Sequence, residues 1–194
     1  MELTNISQLK ALLEKQHLLA QKKYGQNFLI NKNVLQKIIQ TAEIQPADTI
    51  IEIGPGPGAL THELCKHAKK VISIEKDRSM IGLLKETTAE FNNLEILEQD
   101  ALKFTPPKIP YKLVANLPYN IATPLLRNFL MHENKPELIV VLTQLEVAQK
   151  TAAKRGDINV LALTIQPFGK PEVISKVSAH SFFPAPKVTS AILK

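Results

Sequence analysis

Asn116, Leu117, Pro118 and Tyr119 form a short polar and aromatic motif directly after the apolar run 111–115. Pro118 has no N–H and bends the backbone, so the carbonyl of Leu117 is able to point outward. The side chain of Asn116 adds a second oxygen acceptor, and Tyr119 adds a flat ring on which a base can stack. Two acceptors near one point can hold both hydrogens of an amino group, which suits methylation of an exocyclic amine. The alternative is an ordinary turn that ends a strand.

A glycine-rich loop, E-I-G-P-G-P-G at 52–58, follows an earlier apolar run. Glycine lets a ligand approach the backbone, and the N-terminus of the following helix favours an anionic group. We therefore expect Gly54 and Gly56 to lie against a ligand, although a tight turn would use the same residues. The spacing is not the dinucleotide pattern G-x-G-x-x-G, and the phosphate loop G-x-x-x-x-G-K-[ST] is missing.

Two acids follow the next two predicted strands. Glu75 lies 21 residues after Gly54, where a carboxylate can accept hydrogen bonds from both hydroxyls of a ribose. Asp100 is placed to accept from the exocyclic amine of an adenine. The alternatives are a surface carboxylate beside Lys76 and a turn residue. Taken together, the loop and the two acids predict a nucleoside cofactor without phosphate, and S-adenosylmethionine fits that description.

Strands and helices alternate from residue 49 onwards. Short β-branched runs predict strands, and apolar residues at helical spacing predict helices. The predicted strands are 49–53, 70–77, 94–100, 111–115, 137–144, 172–177 and 187–194. The predicted helices are 6–20, 31–44 with Asn31 as N-cap, the segment after the glycine loop, 78–91 and 123–132. The segment 159–166 fits either a helix or a strand, and we favour a helix.

This alternation predicts an α/β fold, a Rossmann-like and mostly parallel sheet of seven strands with helices on both faces. No helix separates the last two strands, so we expect one antiparallel edge strand. Ligands of such sheets bind outside the carboxyl ends of the strands. The glycine loop, Glu75, Asp100 and Asn116 all follow predicted strands, and we expect them to meet there.

The net charge of +6 is concentrated at the two ends of the chain. Residues 1–37 contain six lysines and two glutamates, and residues 144–194 contain seven basic and three acidic residues. Basic ends favour a polyanion such as RNA, although excess surface lysine gives the same composition. The candidate phosphate contacts are Lys22, Lys23, Lys150, Lys154 and Arg155.

The remaining composition narrows the class of protein. The sequence has no run of about 18 apolar residues, so it predicts no membrane span. The N-terminus lacks a secretory signal pattern. The single cysteine, Cys65, is expected to be buried and favours a reducing, cytoplasmic location. His62 and His67 are five residues apart on a predicted helix, which is poor spacing for one metal ion, so we expect no metal site.

Four separated motifs resemble those of the ribosomal RNA adenine dimethyltransferases. They are G-Q-N-F-L at 25–29, E-x-G-x-G-x-G at 52–58, N-L-P-Y at 116–119 and F-F-P-A-P-K-V-T-S-A at 182–191. The resemblance extends from about residue 8 to residue 194. Leu117 in place of isoleucine, and the sequence N-I-A-T-P-L after the tyrosine, are more similar to the bacterial small-subunit enzymes (the KsgA type) than to resistance enzymes acting on large-subunit RNA.

The resemblance implies a role for each matching residue on the cofactor. Asn27 and Leu29 would contact the methionine part, with Gly54 lying against it. Glu75 would bind the ribose, and Asp100 would lie at the adenine.

Other matching residues would bind the target. Asn116 would contact both the cofactor and the target amine, aided by Leu117 and Pro118. Phe182 would stack on the target base opposite Tyr119, while its neighbour, the second phenylalanine of the pair, would fill the core.

The implied activity is N6,N6-dimethylation of adjacent adenosines in 16S ribosomal RNA, by a monomer acting on an immature small subunit. The target adenine must leave its stack to be reached. Residues 1–194 are expected to be the catalytic domain, in which residues 1–30 form an N-terminal helix and a cofactor-contacting loop. The small helical domain that usually follows in this family is expected to be absent from this chain.

Two other functions use some of the same features. A non-catalytic assembly or transcription factor could keep the fold and the cofactor pocket, but it has no need of Asn116 and Tyr119. A nicotinamide-dependent dehydrogenase would need the dinucleotide spacing that the glycine loop lacks.

Overall fold

The protein was described from a computed structural model that covers residues 2–21, 25–154, 156–157 and 159–194. Its helices are α1 (Ile6–Lys15), α2 (Lys32–Ala42), α3 (Ala59–His67), α4 (Arg78–Thr87), α5 (Ala122–Met131), α6 (Leu145–Thr151) and α7 (Val160–Ile165). Its strands are β1 (Phe28–Leu29), β2 (Thr49–Ile53), β3 (Lys70–Glu75), β4 (Leu94–Glu98), β5 (Lys112–Asn116), β6 (Leu138–Gln144), β7 (Val173–Val177), β8 (Phe182–Phe183) and β9 (Ser190–Leu193).

Seven of these strands form one sheet in the order β4-β3-β2-β5-β6-β9-β7. The pairs from β4 to β6 are parallel, and β9 is antiparallel to both β6 and β7. The predicted α/β sheet of seven strands with a single antiparallel strand is therefore confirmed. The prediction that this strand lies at the edge is wrong. β9 lies between β6 and β7, and β7 is the edge strand.

Successive side chains along a strand point to opposite faces of the sheet, and apolar side chains on both faces are covered by helices. On β2, Ile51 packs in a cluster with residues of α5 and α7, while Ile50 packs on the other side with residues of α2 and α3. All five residues of β2 are buried, as expected for a central strand.

Local signals set where the helices begin. Asn5, Asn31 and Asp77 each accept hydrogen bonds from backbone N–H groups in the first turn of α1, α2 and α4, and such caps stabilise a helix by about 1 kcal/mol. Asn31 was the predicted cap. The helices end earlier than predicted, α1 at Lys15 rather than at residue 20.

The segment 159–166, which has features of both helix and strand, contains helix α7 as predicted. Helix α6 was not predicted, because its seven residues are too few to show a clear apolar period. No helix among the described residues is long and apolar enough to span a membrane.

A separate two-stranded sheet joins two motifs that are far apart in sequence. β1 pairs antiparallel with β8, with Phe28 opposite Phe183 and Leu29 opposite Phe182. The sequence did not predict this sheet, since two-residue strands carry no periodic signal. It fixes the loop before α2 against the loop before β9, both at the end of the main sheet where β2 to β6 have their carboxyl ends, here called the carboxyl edge.

Candidate functional site

The glycine loop joins β2 to α3 through backbone that only glycine adopts readily. Gly54 has a φ of +63°, in the left-handed region. A Cβ at Gly54 would lie 3.4 Å from the ring of Pro118, in the space between the loop and the N-L-P-Y motif. The absence of that atom keeps open the cavity between the loop and the motif.

Glu75, at the end of β3, is held beside this loop. Its Oε1 accepts hydrogen bonds of 2.8 Å from the backbone N–H groups of Lys76 and Asp77, while its Oε2 accepts only a long bond of 3.4 Å from Gly56. The side chain is 8% exposed. Burial raises the pKa of the Glu75 carboxyl, and the three N–H groups partly offset that effect. Oε2 thus retains acceptor capacity for a hydroxyl group.

Glu52, on β2, also lines the cavity and was not singled out from the sequence beyond its place in the loop motif. Its Oε2 accepts 2.7 Å hydrogen bonds from the hydroxyls of Thr61 and Ser73. The pKa of the Glu52 carboxyl is raised to about 7, chiefly by burial and to a smaller extent by the nearby charge of Glu75, and the hydrogen bonds from Ser73 and Thr61 partly offset this rise. An acid within an apolar strand is the sequence signal that could have identified it, because acids are rarely buried without a partner.

Asp100 lies beyond the end of β4. Its Oδ2 is 2.8 Å from the ammonium of Lys76, and its Oδ1 accepts a 3.0 Å hydrogen bond from the N–H of Leu102. The Lys76 ammonium is the main cause that lowers the pKa of the Asp100 carboxyl. Lys76 is 60% exposed in its side chain, so an adenine amine could share Asp100 with it.

Asn116 ends β5, and its amide has one donor already engaged. The Nδ2 group donates a 3.0 Å hydrogen bond to the carbonyl of Asn27, in the loop before β1. That bond orients the amide, and its Oδ1 is left without a donor among the described residues. The Asn27 side chain in turn donates to the carbonyl of Gly25 at 3.1 Å, so the loop and the strand end hold each other.

Leu117 and Pro118 place the second acceptor. The Leu117 side chain is 1% exposed, in the core, and its N–H donates to the carbonyl of Leu142 at 3.0 Å. The Leu117 carbonyl accepts no hydrogen bond from the part of the chain that the structure describes. The predicted pair of acceptors, Asn116 Oδ1 and this carbonyl, therefore remains available to a ligand.

Tyr119 is fixed by a contact across the sheet. Its hydroxyl forms a hydrogen bond with the hydroxyl of Ser190, the first residue of β9, which is fully buried. Burial raises the pKa of Tyr119, and the Ser190 bond partly offsets this. Tyr119 lines the same cavity as the glycine loop.

The two phenylalanines of β8 are placed differently from their prediction. Phe182 is 3% exposed and packs in the core cluster that includes Leu29, whereas Phe183 is partly exposed and has the Lys10 ammonium 5.0 Å from its ring centre. Phe183 is half-buried and packs against the cluster formed by α1, α4 and Phe28, so the expectation that it, rather than Phe182, is the core residue is wrong. The register with β1 turns Phe182 inward, so its ring presents no open face opposite Tyr119.

Most of the predicted site residues line one cavity: Asn27, Leu29, Gly54, Gly56, Glu75, Asn116, Leu117, Pro118 and Tyr119. Asp100 lines an adjoining cavity, which shares three residues with the first, namely Gly54, Glu75 and Pro118. The two form a continuous groove along the carboxyl edge. Phe182 does not line either cavity.

Sequence reasoning missed a polar link between the N-terminal loop and the start of α4. The side chain of Gln26 donates a 2.8 Å hydrogen bond to Asp77, which is 4% exposed. Gln21 donates to the same oxygen at 3.3 Å. The link anchors the loop that carries Asn27, and only the glutamine within the G-Q-N-F-L motif hinted at it.

Other residues named from the sequence have structural roles. Cys65 is buried as predicted, and burial raises the pKa of its thiol to about 12. His62 bonds the carbonyl of Thr87 at 2.9 Å and packs edge-on against Phe91. No group of three or more metal-ligating side chains is found among the described residues.

The candidate RNA contacts are described only in part. Lys150 forms a 2.7 Å ion pair with Glu146, and Lys154 is exposed. Lys22, Lys23 and Arg155 lie outside the described residues.

The chain matches the family model for the ribosomal RNA adenine dimethylases over residues 17–194. A curated relative, the ribosomal RNA small subunit methyltransferase A of Dehalococcoides mccartyi, is 45% identical over 194 residues. The alignment covers 97% of this chain and 67% of that protein, so this chain spans about two thirds of the relative's length.

Two solved structures have the same fold. A dimethyladenosine transferase from Plasmodium falciparum gives a TM-score of 0.79 at 36% identity, covering 86% of this chain and 62% of its own. The 23S rRNA methyltransferase ErmE gives a TM-score of 0.79 at 34% identity, covering 86% and 68%. The fold is therefore that of the S-adenosylmethionine-dependent methyltransferases, as predicted.

Proposed function

The chain belongs to the ribosomal RNA adenine dimethylase family, and we propose on that premise that it methylates the N6 amines of adjacent adenosines in 16S ribosomal RNA. The observation that carries the proposal is the hydrogen bond from the Asn116 amide to the Asn27 carbonyl. It leaves the Asn116 oxygen free to accept, and the Leu117 carbonyl is likewise unbonded among the described residues; both residues line the cavity that also contains Glu75 and the glycine loop. A pure binding protein has no use for that pair.

The cofactor residues fit S-adenosylmethionine in both shape and charge. Glu75 Oε2 would accept from the ribose hydroxyls, and Asp100 would accept from the adenine amine in the adjoining cavity. Gly54 and Gly56 would lie against the methionine part, beside Asn27 and Leu29 in the same cavity. When bound, the cofactor supplies a methyl group on a positively charged sulfur, which is already activated for transfer.

The buried carboxyls complement that positive charge. Glu52 and Glu75 both line the cavity, and a cation placed near them stabilises their ionised forms. Since the pKa of Glu52 is raised to about 7, cofactor binding would draw a proton from this side chain near neutral pH.

The acceptor pair would act on the target amine. The adenine N6 lone pair is delocalised into the ring, so the nitrogen is a poor nucleophile until it becomes more tetrahedral. Asn116 Oδ1 and the Leu117 carbonyl would each accept one N6 hydrogen and favour that geometry. They are preorganised, because Asn116 is held by Asn27 and Leu117 by the backbone of β6. No strong base is required before attack.

Tyr119 would supply the stacking surface for the extruded adenine, with its ring held by Ser190. The stacking role of Phe182 stays a prediction, because its ring would have to turn out of the core to meet a base. Its observed packing supports a second role, which is to hold β8 against β1 beside the cavity.

The proposal extends to the setting of the protein. Residues 1–194 form the catalytic domain, with residues 1–30 as its N-terminal helix and cofactor-contacting loop. The protein acts as a monomer in the cytoplasm on 16S ribosomal RNA of an immature small subunit, recognised through shape and charge more than through base reading. The mostly basic ends of the chain support contact with RNA phosphates.

The test is transfer of a labelled methyl group from S-adenosylmethionine to isolated small subunits that lack modification, with large subunits as a parallel substrate. We expect label on two adjacent adenosines of the small-subunit RNA. Label on large-subunit RNA alone would redirect the proposal to that substrate. Cofactor binding without transfer to either particle would instead support a non-catalytic assembly factor.

A further inference from the structure

The strand order of the sheet also sets the order of binding positions along the carboxyl edge. β4, β3, β2 and β5 lie side by side, and the residues at or just after their carboxyl ends are Asp100, Glu75, Gly54 and Asn116. Under the proposed function, adenine, ribose, methionine and target amine follow one another in that order. The next strand is β6, which ends at Gln144, so a group beyond the target amine would bind there.

A groove does lie at the end of β6. Its lining residues are Gln144, Leu145, Glu146, Gln149, Val188 and Thr189. Gln144 is the cross-strand partner of Ser190, whose hydroxyl binds that of Tyr119. Cross-strand partners have Cα atoms about 5 Å apart, so Gln144, which lines the groove, lies next to the residue that binds the Tyr119 hydroxyl.

The groove offers hydrogen-bonding groups that the protein does not use. Gln144 is half-buried, yet within the described ranges its amide makes no hydrogen bond, and the exposed Gln149 makes none either. Glu146 is already paired with Lys150 at 2.7 Å. Val188, which is 44% exposed, gives the groove an apolar wall. An amide beside an apolar wall suits the edge and face of a base.

We propose that this groove binds the base next to the target adenosine and that Gln144 selects adenine at that position. The inference rests on the proposed function, in which the two modified adenosines are neighbours. An amide presents one acceptor and one donor side by side, which match the amine and N7 of adenine. Guanine presents two acceptors, O6 and N7, at the same edge and leaves the amide oxygen unmatched.

The experiment compares unmodified small subunits that carry either adenine or guanine beside one target adenosine, and the label is mapped base by base so that transfer to the neighbouring adenine is not counted. Methyl transfer to that adenosine is measured as kcat/KM for the wild-type chain and for Gln144→Leu. We expect the wild type to favour the adenine neighbour by about tenfold. Gln144→Leu should lose that preference, because its rate falls on the adenine substrate and stays the same on the guanine one.

Two further variants make the result specific. Gln144→Met keeps the length of the side chain without its hydrogen bonds and should behave like Gln144→Leu. The test therefore does not depend on the folding of a single variant. Gln40→Leu alters an exposed glutamine on α2, which packs on a face of the sheet rather than at the carboxyl edge, and should keep the wild-type preference. The cofactor Kd should be unchanged in all three variants.

The outcomes separate this inference from the proposed function. The role of the groove is overturned if the Gln144 variants slow both substrates equally. It is also overturned if the wild type transfers methyl groups normally without preferring the adenine neighbour. In both cases the proposed function still stands. Failure of the wild type to methylate either particle overturns the proposed function and this inference with it.

Discussion

The two halves of the carboxyl edge are held in different ways. On the cofactor side, at the ends of β2, β3 and β4, polar groups are held mostly by near neighbours: Glu75 by the N–H groups of Lys76 and Asp77, and Asp100 by Leu102 and by Lys76 just after the adjacent strand β3. On the target side, at the ends of β5 and β6 and the start of β9, the key bonds join distant segments. Asn116 binds Asn27, 89 residues away, and Tyr119 binds Ser190, 71 residues away.

Under the proposed function, this difference suits what each side would bind. A small cofactor needs a permanent, closely fitting pocket, which local turns and strand ends provide. A base extruded from RNA needs acceptors and a stacking face that remain open, and their side chains must therefore be held from behind by other parts of the chain. Substitutions on the target side should therefore change cofactor binding little. Substitutions on the cofactor side should have a larger effect on the target side.

Loss of the Asn116 oxygen should have the largest effect on the reaction. Asn116→Ala removes one of two preorganised acceptors, so we expect kcat to fall by about 100-fold or more, while the cofactor Kd changes only a few-fold. Single-turnover methyl transfer and calorimetry measure the two quantities. Asn92→Ala, in an exposed turn before β4, should match the wild type, and turnover near the wild-type value in Asn116→Ala would rule out the acceptor role.

The cofactor side is tested by Glu75→Ala. The variant loses the acceptor proposed for the ribose hydroxyls, and hydrogen bonds to a charged group contribute enough for the Kd to rise by about 10- to 100-fold. At saturating cofactor, kcat should stay within a few-fold of the wild type. Glu95→Ala, an exposed acid on the adjacent strand β4, is the control. A large loss of kcat with unchanged Kd would place Glu75 on the target side instead.

Ser190 should have a smaller effect, as a positioning residue for Tyr119. Ser190→Ala removes one hydrogen bond from the ring proposed to stack on the base, so we expect kcat/KM to fall by about 3- to 10-fold. Tyr119→Phe removes the same bond from the other partner and keeps the ring. The double variant should then be no slower than either single one; additive losses would show that the two hydroxyls act separately.

The smallest effect on transfer is expected at Glu52, where the change should be seen in stability. The pKa of this carboxyl is about 7 in the folded chain against an ordinary 4.5, so the folded state binds the proton more tightly. Its contribution is complete below pH 4.5 and is lost as pH rises towards 7 and above. Glu52→Gln can still accept from Thr61 and Ser73 without carrying a charge.

The Tm difference between Glu52→Gln and the wild type should therefore grow in favour of the variant between pH 5 and pH 8, by at least about 3 °C. Thermal unfolding without cofactor, at constant ionic strength, measures it. A Tm difference that is constant over this range would mean that the pKa of Glu52 in the folded chain is close to its ordinary value. Saturating cofactor should reduce the difference, since a bound cation favours the ionised carboxyl.

Much of the fold and most of the cavity were predictable because their signals are local. The β-branched run 49–53, the glycines after it and the acid at Glu75 mark consecutive elements of a parallel sheet, and such a sheet brings its carboxyl ends together. The position of β9 was not predictable in this way. Nothing within residues 190–193 shows that they pair with β6 rather than lying outside β7.

The contacts on the target side could not be predicted from local sequence signals. The motif N-L-P-Y indicated two acceptors and a ring, but the contacts of Asn116 with Asn27 and of Tyr119 with Ser190 depend on the path of the whole chain. The β8 phenylalanines show the same limit, because the register with β1 decides which of them is buried.

The sequence by itself determined the alternation of strands and helices, the type of cofactor and the residue types available for chemistry. These depend on spacing within short segments, where the backbone leaves few choices. The tertiary structure alone decided which oxygens remain unbonded, which carboxyl has a pKa near 7 and which phenylalanine lies in the core. Those properties depend on burial and on partners from remote segments, and only the packed chain brings such segments within hydrogen-bonding distance.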